Sequence, residues 1–506
     1  MFRSKIARYS RAAFRRYSVA LSAVAVLAAG CTTFSDYVHN GFKVGPNFEE
    51  PQAATIAAWI DAGDKRIASE SPPGDDWWNV FSDPSIPILI ETAHRENLDL
   101  KTAGTRILQA QAQRNIAAGN LFPQSQNAIG DYAHVQIPNG LLGPQGGLPS
   151  SFNIWAVGLN TSWELDFWGS FRRRIEASNA DLGGSVEAYR DALVTLLADV
   201  VTNYVQMRTY QQRIVFARRN VEIQKGSLRL AEARLADGKA TALDVKQAHS
   251  LLDQTESTIP PFVIGLRQTT DRLCTLLGQP AQNLMPYFND APIPEVPPTV
   301  AAGIPADLLH RRPDVRKALQ TAASQCAKIG VAEADFYPQF GVSGFVGFAT
   351  DDIATIFAGK SFTALILPNF SWKILNYGRV LNNVRYQDAK FQETVLQYQQ
   401  TVLNAGRETE DALVAFIQYQ IQARSLEDSV KDAEDSVELV QAQYRGGLVD
   451  FNRVFTTQLQ LVTQQDQLAI ARGNIALSLI SVYRALGGGW QAFENCPEPG
   501  KDRKGK

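Results

Sequence analysis

The stretch SWELDFWGSFRRR, residues 162–174, places a large apolar residue at every second position and then sets three arginines side by side. Trp163, Leu165 and Phe167 fall on one face of an extended chain, continuing a stripe begun by Trp155, Val157, Leu159 and Thr161. Ala156, Gly158, Asn160, Ser162, Glu164 and Asp166 fall on the other face. Period two, with one face large and apolar and the other small or polar, predicts a half-buried β-strand. A second stretch, SWKILNYGRVLNN, begins at Ser371 and repeats the serine, tryptophan and glycine positions of the first.

The repetition extends along the chain. Trp163 and Trp372, Gly169 and Gly378, Gly238 and Gly447, and Leu277 and Leu486 are each separated by 209 residues. Upstream, Asp99 and Asp314, and Pro123 and Pro338, are separated by 215, so the first copy carries six extra residues between its proline and its tryptophan. A period this long marks a duplicated half, not a short-repeat solenoid. The extra residues fall near the turn-rich IPNGLLGPQGGLPS, residues 137–150, between two strand-like stretches.

Within each half the periodicity changes in the same order. Residues 86–118 read as one helix ending before Phe122-Pro123. A strand pair follows, from 124 to 167 in copy one and from 340 to 372 in copy two. After Gly169 and Gly378 apolar residues step by three and four: Leu193, Leu196, Val200, Met207, Ile214, Ala217, Val221 and Leu228, and 209 residues later Val402, Ala405, Thr409, Phe416, Ala423, Leu426, Val430 and Val437. Such a seam predicts a coiled-coil rod, roughly 100 Å long at 1.5 Å per residue. Each rod ends in a glycine turn, ADGKATA at 236–242 and RGGLVDF at 445–451, from which a second helix returns. Pro260-Pro261 in the first return helix predicts a break or kink there.

The chain ends and composition bound the setting. Residues 1–35 lack Asp and Glu, begin with a basic segment, and run through an apolar stretch from Val19 to Ala29 into Gly30 and Cys31. This reads as a secretory signal, too short to span a bilayer as a helix. LAAGC resembles a bacterial lipobox, with Cys31 as the lipid-bearing first residue of the mature chain. A net charge of -2 gives no support to a nucleic-acid partner. The histidines are scattered, the remaining Cys274, Cys326 and Cys496 lack metal-like spacing, and no phosphate loop or nucleophile elbow occurs, so no enzyme, metal or cofactor is expected. Two strands per half make four per chain, too few to close a membrane barrel, whose smallest forms have about eight. Oligomerisation would pair the open edges.

VGPNFEEP at 44–51, DWWNVFSDPSI at 76–86, WELDFWGSFRRR, LLHRRPDVR at 308–316 and YRALGGGW at 483–490 together resemble the outer-membrane factor family, the TolC-like exit ducts of efflux pumps, and its lipoprotein branch serving RND transporters. The resemblance implies a mainly α protein with a transmembrane β-barrel: a homotrimer whose twelve strands form the barrel, continuous with a periplasmic helical tunnel. A periplasmic adaptor and an inner-membrane RND transporter would be its partners, and small molecules its cargo. A type I protein-secretion duct shares the architecture. A lipid-anchored coiled-coil scaffold explains Cys31 and the heptads but leaves the strands without a purpose.

The expected organisation is a signal at 1–30, an extended lipid-anchored segment at 31–83, repeats at 84–279 and 306–489 joined by a proline-rich connection at 280–305, and a polar tail at 490–506. Trp163, Trp168 and Trp372 suit a membrane-interface girdle. Arg172, Arg173 and Arg174 would meet lipid phosphates or adjoining carboxylates, since three cations at a helix N-terminus oppose its dipole. Arg234, Gly238, Arg445, Gly446 and Gly447 form the tip expected to meet the adaptor. By family resemblance the gate lies just beyond Gly447, at Asn452, Thr456 and Leu459, where relatives carry a leucine, an acid and a base. Leu243 and Gln247 of copy one are the next candidates.

Overall fold

The computed structural model describes residues 34–54, 56–68, 70, 76–136, 151–284, 286, 288 and 291–493. Cys31, the signal and Cys496 lie outside them. After a short helix α1 (Phe34–His39) and strand β1 (Ile67–Ala68), the first half runs α2 (Ser85–Glu96), α3 (Leu98–Gly119), β2 (Ser125–Gln136), β3 (Ser151–Leu165), α4 (Ser170–Ala236) and α5 (Ala242–Leu276). Strand β4 (Val300–Ala301) leads to the second half: α6 (Leu308–Arg311), α7 (Pro313–Ala334), β5 (Gln339–Thr350), β6 (Phe362–Ser371), α8 (Arg379–Gly446) and α9 (Phe451–Ala485). The chain divides into two units, one of residues 1–51, Leu108–Gly184 and Ala318–Gln397, the other of Gln52–Ile107, Ser185–Lys317 and Tyr398–Lys506.

The first unit holds a four-stranded antiparallel sheet in the order β2-β3-β5-β6. Pairing of Trp163 with Val342, and of Val342 with Pro368, sets the odd residues of β3 beside the even residues of β5 and β6. That face is apolar and uncovered: Leu159 is 60% exposed, Ile366 77% and Phe370 70%. The opposite face carries Asn160, Ser162, Ser343 and Asn369. There the Phe345 ring lies over paired Gly158 and Gly347, and a Cβ on Gly158 would come within 2.9 Å of it. An aromatic ring over a strand glycine covers backbone that would otherwise be wet.

The second unit is mainly helical, and of the seam residues read from the sequence all but the half-buried Leu426 are buried. Leu193, Val200, Met207, Val221 and Ala231 of α4 are 5% exposed or less, as are Val402, Ala405, Phe416 and Val437 of α8. The helix read as continuous from 86 to 118 is instead interrupted at Asn97. This residue is extended (φ -60°, ψ 127°); its Oδ1 accepts from Leu100 N at 2.8 Å and its Nδ2 donates to Leu276 O at 2.9 Å. The side chain thus caps α3 and satisfies a carbonyl left free where α5 ends. In the second half Arg312 stands at the corresponding place and donates to Ala485 O at 2.8 Å. Of the break or kink expected at Pro260-Pro261, the break does not occur. Both rings lie on the exposed side of an unbroken α5, where water can reach the carbonyls that lose their N–H partners.

Candidate functional site

The corner between β3 and α4 is built around Asp166. Its carboxylate accepts from the backbone N–H groups of Phe171 and Arg172 at 2.9 and 3.0 Å and from Arg172 Nε at 2.9 Å, supplying an anion where the helix dipole is positive. Of the partners expected for the arginine run, adjoining carboxylates are met by Arg172 on Asp166 and by Arg173 on Glu176. Arg172 donates to Gly41 O and Phe42 O. Arg173 is 0% exposed and donates to Val44 O at 3.0 Å, Gly45 O at 2.7 Å and Glu176 Oε2 at 2.9 Å. Only Arg174 of the three is exposed, its guanidinium 5.3 Å from the Phe171 ring centre. Desolvation explains the outcome: a buried guanidinium needs partners, and each of Arg173's three nitrogens has one, Val44 O, Gly45 O and the Glu176 carboxylate.

Trp163 and Trp372 make equivalent contacts in the two halves, their indole N–H groups donating to Leu121 O at 3.1 Å and to Phe336 O at 2.9 Å. Trp168 donates to Pro338 O at 2.8 Å and stacks on Tyr337. The rings of Trp163 and Trp372 remain over a third exposed, with their indole N–H groups satisfied within the protein. The sequence reading overlooked a second aromatic level near the opposite end of the sheet, where Tyr132 packs on Trp155 with ring centres 4.3 Å apart and Phe348 contacts Phe357 and Phe362. Trp155 and Trp163 are eight residues apart on one face of β3. At about 3.4 Å per residue the two are about 27 Å apart along the strand.

The two hairpin tips share one backbone design. Gly238 (φ 69°) and Gly447 (φ 77°) take the left-handed conformation that ends α4 and α8. Lys239 N donates to Arg234 O, and Leu448 N to Gln443 O. Thr241 caps α5 in a capping box with Asp244, and Asp450 caps α9 by accepting from Arg453 N. Arg445, Gly446 and Gly447 are exposed at the apex. Arg234 is turned inward: its Nη1 donates to Tyr444 O and Arg445 O, its Nη2 to Lys239 O, and its guanidinium stacks 4.7 Å from the Tyr444 ring centre. It clasps the two tips together. Leu243 and Leu448, 65% and 79% exposed, are the apolar groups the tips offer outward.

A profile of the outer membrane efflux protein family matches residues 89–279 and 304–488, the two halves in order. The chain belongs to this family. Its relatives include the pyoverdine export outer membrane protein OpmQ of Pseudomonas putida, 30% identical over 84% of this chain and 90% of that one. The toluene efflux pump outer membrane protein TtgF of the same species is 27% identical over 90% and 96%. Among solved structures, the outer-membrane channel OprN superposes with a TM-score of 0.83 at 30% identity, covering 88% of this chain and 99% of that one. The family is one of outer-membrane channels, not enzymes. Among the described residues no group of three His, Cys, Asp or Glu side chains could hold a metal, and no helix is long and apolar enough to cross a membrane.

In this efflux protein the residues just past Gly447 form a stripe on α9. Asn452 and Thr456 are exposed and Leu459 half-buried, while Phe451, Val454, Gln458 and Leu461 are buried on the opposite side. The Thr456 hydroxyl already donates within its own helix, to Asn452 O and Arg453 O at 3.0 and 3.1 Å. It therefore meets any further partner as an acceptor. On the other face of α9, Gln465 accepts from Asn220 at 2.7 Å and donates to Glu434 at 2.8 Å.

Proposed function

We propose that the protein is the exit duct of a tripartite efflux pump, a passive outer-membrane channel for small molecules driven by an inner-membrane RND transporter through a periplasmic adaptor. One observation carries the reading: a four-stranded sheet, uncovered on a large apolar face, whose edge strands β2 and β6 each pair on one side only among the described residues. Three copies joined β2 to β6 make a closed twelve-stranded barrel, which removes every edge and turns the apolar faces to lipid. Acylation of Cys31 would add an anchor, and a diacylglycerol places two chains where one binds only marginally.

Cysteine pairs scanned along β2 and β6 test the assembly. Oxidation should give a covalent ladder stopping at three chains, and a ladder stopping at two, or continuing past three, rejects the closed trimer. The mass of the mature N-terminal peptide reads the lipid directly. The resting constriction is proposed at Asn452, Thr456 and Leu459, and the tip around Arg445, Gly446, Gly447 and Leu448 as the adaptor contact. Thr456→Asp then puts three like charges around one axis, and their repulsion in a partly desolvated ring favours opening. Single-channel recordings should show a higher resting conductance. Unchanged conductance in a folded trimer would move the gate elsewhere, with Leu243 and Gln247 next.

A further inference from the structure

The β5–β6 connection is an ordered knuckle carrying apolar side chains. Asp352 accepts from Ala354 N at 3.0 Å, the Thr350 and Thr355 hydroxyls bond at 3.0 Å, and Ser361 Oγ donates to Thr355 O at 2.8 Å. Within this frame Ile356 turns in, 9% exposed, whereas Ile353 and Phe357 remain 54% and 73% exposed. Between the knuckle and the apolar face of β2 and β3 lies an open cleft of about 580 Å³, floored by Tyr132, Trp155 and Val157 and flanked by Ile353, Ile356 and Phe357. Its volume and lining fall within the range of sites that hold apolar ligands. Beside the exposed Asp351, Asp352 and Lys360, this hairpin end holds two large apolar groups outward by its own hydrogen bonds.

Trp155, Val157, Leu159 and Trp163 lie on one face of one strand, so the cleft opens onto the same surface that carries Leu159 and Ile366. That continuity identifies the occupant. We propose that the cleft receives an acyl chain of an outer-leaflet lipid, with the knuckle acting as an apolar finger that holds the barrel rim at the outer boundary of the hydrocarbon. The inference rests on the reading of this face as membrane-embedded.

The test uses the full-length trimer in vesicles of phosphatidylethanolamine and phosphatidylglycerol carrying a photoactivatable diazirine on one acyl chain, with adducts mapped by peptide mass spectrometry. Adducts are expected on residues 353–358 and around Tyr132, as well as on the mid-sheet band at Leu159 and Ile366. Phe357→Ser, at an exposed position, should lower the cleft adducts by roughly tenfold, the scale of losing part of a buried aromatic contact, and leave the mid-band adducts unchanged. Mid-band adducts without cleft adducts would overturn the proposal and leave the membrane reading intact. No adducts on either would overturn both. A photoreactive residue at 357 that captures another copy of the chain would show that a neighbouring subunit fills the cleft and would reject lipid.

Discussion

Arg234→Ala should loosen the hairpin tips by a calculable amount. Of the three hydrogen bonds that the guanidinium donates, those to Arg445 O and Lys239 O are exposed and 3.1 and 3.3 Å long, so water replaces them at little cost. The bond to Tyr444 O is part-buried and charge-assisted, worth about 1.5 kcal/mol. The stacked Tyr444 ring adds about 0.5–1 kcal/mol. The sum, about 2 kcal/mol, raises the local opening equilibrium about thirtyfold at 1.4 kcal/mol per factor of ten. Hydrogen–deuterium exchange of tip peptides covering 236–242 and 445–451 reads that opening. Exchange should rise at both tips, although only one side chain of copy one has been cut back. Arg234→Lys should fall between, since it keeps the charge and loses the fork that reaches separate carbonyls. Exchange within about threefold of wild type in Arg234→Ala, or a rise confined to 236–242, would refute the clasp.

The Tyr444 hydroxyl is buried without a hydrogen-bond partner, so Tyr444→Phe should leave thermal stability unchanged or raise it by up to about 1 kcal/mol, and a loss would show that the hydroxyl is satisfied in the assembled protein. Arg173→Met should lower stability by about 3 kcal/mol, because it leaves Val44 O, Gly45 O and Glu176 without their buried cation; the checks are the unfolding midpoint and faster proteolytic cleavage within 41–51. Burial first, and the Asp314 carboxylate second, push the Asp191 carboxyl above the ordinary range. Folding then favours its protonated form, so its ionisation costs stability above the folded pKa and nothing below the unfolded one. Asp191→Asn should therefore stabilise the protein near neutrality, with a gain that shrinks as pH falls into the ordinary carboxylate range; a pH-independent change in midpoint would reject this.

The strands and rods were legible because each carries its own period: two in Trp155–Phe167 and Phe362–Trp372, three and four in the seams of α4 and α8. The Asn97 break was not, because apolar positions continue through it at helical spacing; its one local sign is the Asn97 side chain that caps α3 at Leu100 N, and its second bond goes to Leu276 O, 179 residues away. At the arginine run the charge was plain and so was the need for an anion. Asp166 met part of that need from nearby, but the carbonyls that bury Arg173 lie about 130 positions upstream, and no local pattern points to them. The tip turns could be located from Gly238 and Gly447 alone. The inward turn of Arg234 could not, since an arginine beside an exposed turn is more often solvated than stacked on a tyrosine from the other half.

The two halves keep the same backbone joints and differ in the side chains set on them. Asn97 and Arg312 both reach the carbonyl at the end of their own return helix. Arg312 alone adds bidentate contact with Asp314 and a 2.9 Å bond to Glu408, in a polar cleft shared with Asp191 and Arg484. At the tips the glycine caps are equivalent, but Arg234 corresponds to Gln443, so the clasp runs in one direction, from the first hairpin onto the second. The first turns of the return helices diverge in the same way, with Leu243 and Gln247 on α5 against Asn452 and Thr456 on α9. Identical hairpins would contribute equally to any ring built from several chains. Here one hairpin is held by the other's arginine and carries an uncharged polar stripe, while its partner supplies the restraint. Releasing Arg234 from Tyr444 would loosen both tips at once, yet the groups that join them are unlike: the cation stands on α4, and the carbonyls and ring it holds stand at the end of α8.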